Sequence, residues 1–499
     1  MTKQRILFGE WKPDQADSTG QPSNDLEMAF NVYPSATGYA PFPKASAISI
    51  PMPDAQDITG MTTARHNNDI FAIAGTRFNL YKGNNLIRVS SDVKPIGKDG
   101  GYKVPTVGWH FVQYGNSVLA TNGADKIQSL SIVGDSIDPA NAGKFEDIPQ
   151  SPICKTMCIV RDFVVAAYCS DENGDIVANR VQWSDLNNEL QWDSNDTNQA
   201  DFQNLPSGGE IKAITGGEFG LILQDKGVQR MSYVGTPLIF QFDLISDNIG
   251  CLSGKSAIQH NGISYWLSHE GMIACDGAKV TNIGNGKIND WLFKEVDLDQ
   301  MDNTMDNSSV AIDPIKNLIV WNFPTKTTDR VMLKYNYSTQ RFSTGLTEAH
   351  IVSGLETQGT TLDALDGEFP DLDAMPVSLD SHLFLGGQFS FCGAEGGQVV
   401  AFNLKGDNSY LTTNDMEFNG FSVVTSAQPI VENGSAEFQV SSRNALNEGI
   451  LFGSVSTTSN ENRADLRSGG KYHRVRMKPT DTWTNAVGFD LDVTTQGQR

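Results

Sequence analysis

The sequence predicts an all-β protein whose main body is a β-propeller of about six to eight blades. Three observations support this fold class. Helical periodicity is nearly absent, short apolar runs alternate with Gly, Asn and Asp turns, and pairs of such runs recur along most of the chain. The predicted organisation is an extended N-terminal arm (1–55), the propeller body (56–405) and a small C-terminal β-rich region (406–499) that closes the propeller or is appended to it.

Seven predicted hairpins carry the propeller interpretation. Their first, apolar runs lie at 69–75, 116–122, 161–168, 218–224, 262–268, 317–323 and 382–387, and their second, alternating runs at 77–83, 126–132, 179–185, 227–235, 271–277, 330–336 and 397–403. A four-stranded propeller blade takes about 40–50 residues. The predicted hairpins recur at similar intervals, and the wider intervals leave room for loop insertions. Closure into a ring would remove the exposed edges that seven separate hairpins create. Ordinary antiparallel sheets without radial symmetry are the alternative.

The N-terminal segment differs from the body in composition. Residues 1–55 are rich in Pro, Ser and Asp, which favours an extended arm that lies over the body or docks on a neighbouring molecule. We expect that removal of residues 1–40 leaves the propeller folded and weakens assembly. At the other end, residues 410–499 alternate between polar and apolar positions, as in a small sandwich or an appended sheet.

Charge is distributed unevenly along the chain. The 499 residues include 37 Lys and Arg against 59 Asp and Glu, a formal net charge of −22. An acidic surface does not bind nucleic acid by neutralising phosphates, which disfavours an ordinary DNA-binding domain. Residues 361–380 contain six acids and no base, whereas the tail is locally basic. Surfaces of opposite charge on one chain favour head-to-tail contacts between copies, although a charged surface alone is usually only a solvated face. Subunit or partner contacts are therefore predicted at Asp363, Asp366, Glu368, Asp371, Asp373, Arg463, Arg467, Lys471, Arg474 and Arg476.

Neither a signal peptide nor a membrane span is expected. The first 20 residues lack the apolar core of a signal peptide. The longest apolar runs are far shorter than the ~20 residues that a membrane-spanning helix needs. We therefore expect synthesis and folding in a cytoplasm.

Residues that could perform catalysis or bind a metal do not form a recognised pattern. The six cysteines are scattered, which predicts reduced, buried, structural thiols. None of the seven histidines has HExxH or HxH spacing. The loop that begins at Asp171 lacks the Gly and Glu that a calcium-binding EF-hand requires. No catalytic, cofactor-binding or metal-binding residue is assigned, and the protein is predicted not to be an enzyme.

A propeller that binds or hydrolyses glycans is the alternative function. Glycosidases place paired carboxylates around a reacting sugar, but carboxylates are abundant here and discriminate nothing. The repeated Ser-x-Asp-x-Gly-x-Thr-Trp box of sialidase propellers is not found. Trp183-Ser184-Asp185 and Trp192-Asp193-Ser194 only echo it.

An ordered series of motifs resembles one family of bacteriophage proteins. The series comprises HFVQYGNSVLATNGADKIQ (110–128), NRVQWSDLNNELQW (179–192), ADFQNLPSGGEIKAITGGEFGLILQDKGVQRMSYVGTPLIFQFDLI (200–245), NIGCLSGKSAIQHNGISYWLSHEGMIACDGAKVTNIGNGKIN (248–289), SSRNALNEGILFGS (441–454) and LRSGGKYHRVRM (466–477). This series resembles the tail hub, or nozzle, proteins of short-tailed phages (podoviruses), which are also called packaged-DNA stabilisation proteins. The resemblance covers most of residues 60–499 and depends on the order of the motifs, not on any single one.

The resemblance implies a structural virion protein and no catalytic residue. In the family, a β-propeller body forms a homohexameric ring in the virion tail, assembled in the host cytoplasm, below the portal and adaptor proteins of the head–tail connector. The ring seals packaged DNA and continues the ejection channel. Expected partners are other copies of the chain, the adaptor and portal, tail fibre or spike proteins, a plug or needle protein, and passing DNA that is not bound sequence-specifically.

Overall fold

Regular structure in this protein is almost entirely β-strand. A computed structural model describes residues 2–15, 24–66, 69–83, 86–91, 101–103, 105–132, 143–302, 307–327, 329–357 and 387–495. The N-terminal segment contributes β1 (Thr2–Leu7), a 3-10 turn (Pro13–Gln15), β2 (Leu26–Phe30), β3 (Val32–Pro34), β4 (Tyr39–Pro41) and β5 (Lys44–Ala47).

Five four-stranded antiparallel sheets follow the arm in chain order. Each consists of consecutive strands that pair with their chain neighbours. The first sheet contains β6 (Ile58–His66), β7 (Asp69–Thr76), β8 (Leu80–Lys82) and β9 (Ile87–Arg88), and the second contains β10 (His110–Tyr114), β11 (Ser117–Thr121), β12 (Gln128–Ser131) and β13 (Glu146–Asp147). The third contains β14 (Cys154–Val160), β15 (Phe163–Ser170), β16 (Ile176–Trp183) and β17 (Asp201–Asn204), and the fourth contains β18 (Ile211–Thr215), β19 (Gly220–Gln224), β20 (Val228–Gly235) and β21 (Ile239–Ser246). The fifth contains β22 (Ile258–His260), β23 (Ile263–Ser268), β24 (Gly271–Cys275) and β25 (Val280–Asn282).

Two short helices separate these sheets from the next strands. The segment runs through α1 (Asn289–Glu295), α2 (Leu298–Asp302), β26 (Ser309–Asp313), β27 (Leu318–Pro324), β28 (Arg330–Asn336), β29 (Arg341–Thr347), β30 (Ile351–Glu356), β31 (Phe389–Glu395) and β32 (Gln398–Leu404). Strands β30–β32 form a sixth four-stranded sheet together with β5 of the arm. In the described part of the chain, no helix is both long and apolar enough to cross a membrane.

The sheets are arranged around one axis, with the first strand of each sheet innermost. Strand β6 contacts β10, β10 contacts β14, and β14 contacts β18. Strand β18 contacts the 3-10 turn (Gly254–Ser256) that precedes β22, β26 contacts β22 on one side and β30 on the other, and β30 contacts β6, so the circle is complete. The protein is therefore a β-propeller with six four-stranded blades, and β26–β29, which belong to the larger sheet, occupy a seventh position in the ring between the fifth and sixth blades. This confirms the predicted all-β propeller.

The C-terminal strands extend the sheet that begins with β26. They are β33 (Tyr410–Thr413), β34 (Met416–Glu432), β35 (Ser435–Arg443), β36 (Ser456–Thr457), β37 (Ala464–Thr480) and β38 (Asn485–Thr495). Arm strand β2 joins the two parts, because it pairs in parallel with β29 and antiparallel with β33. Strands on both sides of residues 55 and 405 thus belong to the same sheets. The division of the chain into three domains at these positions remains a prediction.

The N-terminal arm is part of the folded body and does not lie loosely upon it. Strand β1 pairs with β38, and β5 supplies the outermost strand of the sixth blade by pairing with β32. Trp11, Leu26 and Tyr39 are fully buried in the core that the arm shares with the large sheet. The arm therefore contributes both hydrogen bonds and apolar core to the body.

The predicted hairpins correspond to the second and third strands of the sheets. The first three are β7–β8, β11–β12 and β15–β16, and the next three follow the same rule. In the seventh hairpin, only residue 387 of the predicted first run (382–387) lies within the described residues. The first strand of this hairpin is β31, which begins at Phe389, and the second is β32. The innermost strands, which line the axis, were not singled out by the sequence pattern.

Glycine allows the innermost strands to approach closely. A Cβ atom at Gly60 in β6 would lie 2.2 Å from the carbonyl oxygen of Trp109, next to β10. A Cβ atom at Gly216, after β18, would lie 2.0 Å from the carbonyl oxygen of Ile159 in β14. Both distances are too short for any other residue, so these glycines set the blade spacing near the axis.

Candidate functional site

The innermost strands enclose a cavity of about 550 Å³ on the propeller axis. Its lining includes residues from every innermost strand of the ring: Met61, Phe111, Thr156, Ala213, Ile258, Val310 and Val352. Volumes of about 300–1,000 Å³ are typical of small-molecule sites. The cavity is therefore large enough to hold a small molecule, and we call it the axial cavity.

The charged lining of the axial cavity is mainly basic. Among the described residues, Lys155, Lys212 and Lys255 line it, together with His110 and one acid, Glu210. Lys155 is in β14 and Lys212 in β18, whereas Lys255 is in a 3-10 turn (Gly254–Ser256) that precedes β22. Lys155 and Lys212 are each the second residue of an innermost strand, so these two come from equivalent positions of successive blades. The described lining thus contains three lysines and one acid, although the net charge of the chain is −22.

The three ammonium groups have different neighbours. Lys212 Nζ lies 2.5 Å from Glu210 Oε1 and forms an ion pair. Lys255 reaches across the ring toward the second blade, because a Cβ atom at Gly108 would lie 2.5 Å from Lys255 Nζ. Lys155 Nζ lies 3.5 Å from the centre of the Tyr168 ring, a cation–π contact. The lysines thus approach the cavity from different sides.

A β-bulge presents Tyr168 to Lys155. The pairing of β15 with β16 shifts register between Ala167 and Cys169, and Tyr168 has a φ of 59°. Left-handed backbone is unfavourable for a bulky residue, and bulges commonly redirect a side chain at a functional site. The distortion places the Tyr168 ring in the cavity lining.

His110 is neutral at physiological pH. Burial, together with the nearby Lys255 charge, lowers the pKa of His110 to about 4. Its Nδ1 atom lies 3.3 Å from the Thr156 hydroxyl. The ring therefore contributes a polar edge to the lining but no positive charge near pH 7.

The rest of the lining combines hydroxyl groups with an apolar wall. Ser309 and Ser353 supply hydroxyls from β26 and β30. Trp109 and Phe111 stack with their ring centres 6.2 Å apart, and Trp109 Nε1 donates a 2.7 Å hydrogen bond to the Thr76 carbonyl. The cavity can thus hold a ligand that has both a charged and an apolar part.

The predicted contact residues lie away from this cavity. The five acids, Asp363, Asp366, Glu368, Asp371 and Asp373, lie outside the described residues. Arg463 directly precedes β37 and pairs with the exposed Asp465, whereas Arg467 lies on β37. For these five acids and two arginines, contacts with other subunits or partners remain a prediction.

The other three predicted basic residues have intramolecular partners. Lys471 pairs with Glu417 at 3.6 Å. Arg474 is 2% exposed, and its guanidinium lies 3.1 Å from Asp415. Arg476 lies over the Phe452 ring, 4.1 Å from its centre. Arg474 is thus a core residue of the large sheet, and Arg476 supports a neighbouring loop.

Metal ligands and reactive thiols do not gather at the axis. The described residues contain no group of three or more His, Cys, Asp or Glu placed to hold a metal ion. All six cysteines are buried, and none of them forms a disulfide, as predicted. Burial raises the pKa of the Cys154 and Cys392 thiols to about 12, which makes them poor nucleophiles.

Sequence analysis missed the basic side chains of the axial cavity. Each lysine is a single basic residue at or just before an innermost strand, and these strands were not predicted. A usable signal was their recurrence, because Lys155, Lys212 and Lys255 precede three successive predicted hairpins. Only the closed ring shows that they line one cavity.

Comparisons with known proteins report distant structural neighbours only. The sequence matches no protein-family model and no curated protein. The extracellular domain of a one-component system from B. thetaiotaomicron is similar with a TM-score of 0.40 and 9% identity over 85% of this chain and 48% of that one, so the chain spans about half its length. The WD40 domain of SCAP from fission yeast is similar with a TM-score of 0.30 and 10% identity over 59% of this chain and 70% of that one. These values carry no argument about function.

Proposed function

We propose that the protein is a structural virion protein, the tail hub of a short-tailed bacteriophage. In this role, copies of the chain form a ring below the portal and adaptor proteins, seal the packaged DNA and continue its ejection channel. The protein acts by assembly and not by catalysis, and the ring carries fibres or spikes. The series of sequence motifs supports this proposal. The structural observation that supports it is an exposed apolar loop held in place by hydrogen bonds.

The apolar loop (residues 444–455) connects β35 to β36 and exposes large apolar side chains. Leu451 is 83% exposed, and Leu446, Ile450 and Val455 are exposed as well. Contiguous exposed apolar groups are typical of protein–protein contacts. The loop also contains most of the motif at 441–454 on which the resemblance depends.

Hydrogen bonds hold the apolar loop in one conformation. Arg443 Nη1 donates to the carbonyl oxygens of Leu446 and Glu448, at 2.5 and 2.9 Å. The Leu451 backbone N–H donates to the Ser441 hydroxyl at 3.0 Å. A preorganised loop loses little conformational entropy on binding, which favours a permanent contact with a neighbouring subunit.

The proposal is tested by following assembly of the full-length chain. We expect it to form closed rings, seen by light scattering after gel filtration and by electron microscopy, and to occur in the tails of particles from its source. The double variant Ile450→Ser/Leu451→Ser should remain folded and lose ring formation. Leu238→Ser, at a residue that is 70% exposed on the hairpin of the fourth blade, is the matched control. A monomeric wild-type chain that is absent from particles would refute the hub assignment.

A glycan-binding propeller is the second candidate function, and the axial cavity is the observation that favours it. Trp109, Phe111 and Tyr168 line the cavity, and aromatic rings commonly pack against sugars. This candidate requires that the isolated monomer binds neutral oligosaccharides, which a glycan array measures directly. Binding that Trp109→Ala abolishes, without a ring-shaped assembly, would favour it over the hub.

A further inference from the structure

We propose that Cys154 and Cys169 form a redox-active pair that closes into a disulfide when the protein meets a peroxide oxidant. The structure shows the reduced form of this pair. The oxidised form fastens β14 to β15 within the third blade. This modification is independent of the proposed tail-hub assembly, because a chain that forms no rings can still form the bond.

The two cysteines lie directly opposite each other in the sheet. In the antiparallel pairing of β14 with β15, Cys154 is the register partner of Cys169. The next pair of the ladder is hydrogen-bonded, since the Ser170 backbone N–H donates to the Ile153 carbonyl at 2.8 Å. Hydrogen-bonded pairs alternate with non-hydrogen-bonded pairs, whose Cα atoms are typically about 4.5 Å apart. Disulfides span Cα separations of about 4.4–6.8 Å, so the strands already have the spacing that the bond needs.

Both cysteine side chains belong to one apolar cluster. Cys154 and Cys169 are at most 1% exposed, and they share this cluster with Leu119 of the second blade and Val164 of the third. The Cys154 thiol donates to the Thr121 hydroxyl at 3.6 Å. Burial, and after it the neighbouring Cys154 thiol, raises the pKa of Cys169 well above its usual value. The two sulfur groups are therefore close enough to interact, as their register pairing requires.

Cys158 provides a natural comparison within the same strand. It lies four residues beyond Cys154 in β14 and is also buried, at 9% exposed. Its register partner in β15 is Val165, and its side chain belongs to a different apolar cluster. Cys158 thus shares the strand and the burial of Cys154 but does not face a cysteine.

Closure of the pair requires a two-electron oxidant, for which hydrogen peroxide is the example. The sulfur of one cysteine attacks a peroxide oxygen, the O–O bond breaks, and the thiol proton leaves in a water molecule, which gives a sulfenic acid. The sulfur of the second cysteine then displaces the sulfenic oxygen, and its proton leaves in a second water molecule as the S–S bond forms. Two thiols and one hydrogen peroxide thus give one disulfide and two water molecules.

Burial makes the pair slow to oxidise and slow to reduce again. The pKa of Cys154 is raised to about 12 by burial, so the folded chain holds little of the thiolate that reacts. Oxidation therefore requires local opening of the hairpin, which gives the oxidant access. A reducing cytoplasm keeps such thiols reduced, whereas an extracellular environment favours disulfides. Once the bond has formed, the same apolar cluster shields it from reductants.

The pair lies beside the lining of the axial cavity. Lys155 and Tyr168, which are the chain neighbours of the two cysteines, form the cation–π contact in that lining. Tyr168 occupies the β-bulge and has a φ of 59°. A disulfide one residue away fixes the separation of the two strands at this point, and it thereby holds the Tyr168 ring in the cavity lining.

The test is oxidation of the full-length chain with hydrogen peroxide, followed by trypsin digestion without reduction. Cleavage after lysine and arginine places Cys154, Cys158 and Cys169 in three separate peptides, 145–155, 156–161 and 162–180. We expect peptides 145–155 and 162–180 to appear as a cross-linked pair, two hydrogens lighter than their sum, that dithiothreitol separates. The number of free thiols in the denatured chain should fall from six to four, and Cys158 should remain free to react with iodoacetamide.

Single variants separate this pair from the other cysteines. Cys154→Ala and Cys169→Ala should each keep all five remaining thiols after oxidation, whereas the matched control Cys158→Ala should fall from five to three. The peptide map of the wild-type chain decides the question if a variant does not fold. Six free thiols under conditions that fully oxidise dithiothreitol, a cross-link between other cysteines, or sulfinic acid at Cys154 or Cys169 in place of the cross-link would overturn the proposal.

Discussion

The Ser46 hydroxyl donates a 2.6 Å hydrogen bond to the Asn403 side-chain carbonyl. The two residues are 357 positions apart, and they join arm strand β5 to β32 in the sixth blade. Because β32 belongs to the last blade of the ring, the N-terminal segment completes the sheet that the chain reaches only near residue 404. The propeller can therefore become complete only after most of the chain has folded.

Replacement of Trp11 by alanine should destabilise the whole body. Trp11 is fully buried, packs edge-on against Trp291 with ring centres 4.7 Å apart, and donates a 2.9 Å hydrogen bond from Nε1 to the Glu27 carbonyl. We expect Trp11→Ala to lower the free energy of unfolding by about 3–5 kcal/mol, as for other large buried aromatic residues. Urea denaturation measures this change, with the exposed Leu451→Ala as control.

Burial of the arm also leads us to expect that removal of residues 1–40 prevents stable folding, contrary to the expectation from composition. A soluble truncated protein with a cooperative unfolding transition would contradict this. So would a Trp11→Ala variant that loses less than about 1 kcal/mol, because that is the size of an ordinary surface effect.

Replacement of Asp415 by asparagine should remove the carboxylate that two buried guanidinium groups share. Asp415 forms ion pairs with Arg443 and Arg474, and all three side chains are at most 6% exposed. Removing one member of such a buried network typically lowers stability by about 3–5 kcal/mol. We expect a loss in this range for Asp415→Asn, measured by thermal and urea unfolding.

An exposed ion pair provides the matched control for Asp415. Arg463 and Asp465 lie 3.2 Å apart, but the Asp465 side chain is 87% exposed. Surface pairs contribute at most about 1 kcal/mol, so Asp465→Asn should change stability little. Equal effects of the two substitutions would show that burial of the Asp415 network does not matter.

Replacement of Lys334 by methionine should stabilise the protein near pH 7. Lys334 is fully buried, and its Nζ atom has no hydrogen-bond partner among the described residues but lies 4.8 Å from the centre of the Phe42 ring. Burial lowers the pKa of Lys334 from 10.5 to about 7. Between these values the unfolded chain binds a proton that the folded chain does not, so the free energy of unfolding rises with pH from about 7 to 10.5.

We therefore expect Lys334→Met to raise stability at pH 7 and to flatten the rise between pH 7 and 10. Urea denaturation at several pH values measures both effects, and the exposed Lys478→Met is the control. An unchanged slope in Lys334→Met would mean that the buried amine does not titrate as its environment indicates.

Acidification should destabilise the protein through His473. Its ring nitrogens lie 2.8 Å from the Ser422 hydroxyl and 2.7 Å from the Ser442 hydroxyl, and burial lowers its pKa from 6.5 to about 4. The folded state favours the neutral ring, whereas the unfolded state binds a proton below pH 6.5. The free energy of unfolding should thus fall as the pH drops from about 6.5 to 4.

The variant His473→Asn should show a smaller fall over this pH range, although His110 contributes in the same direction. His269→Asn is the control, since the His269 side chain is 60% exposed. If both variants kept the full wild-type slope, His473 would not be the group responsible.

The sequence predicted most strands that lie in the middle of a sheet. Residues 218–224, for example, contain β19, because a strand that is buried at all five positions reads as a short apolar run between turns. The innermost strands were harder to predict, since one side faces an axial cavity and tolerates polar residues. Strand β10 is partly exposed at all five positions and therefore gives no apolar run.

The sequence by itself determined the all-β class and the order of the hairpins, because strand length, alternation and turn residues are local properties. Only the tertiary structure decided how the ring closes, where the arm is buried and which side chains share the axis. The hydrogen bond between Ser46 and Asn403 joins residues that are distant in the sequence, and the lining of the axial cavity includes both Lys155 and Lys255. Such contacts form when hydrophobic burial brings whole sheets together, and no local pattern encodes them.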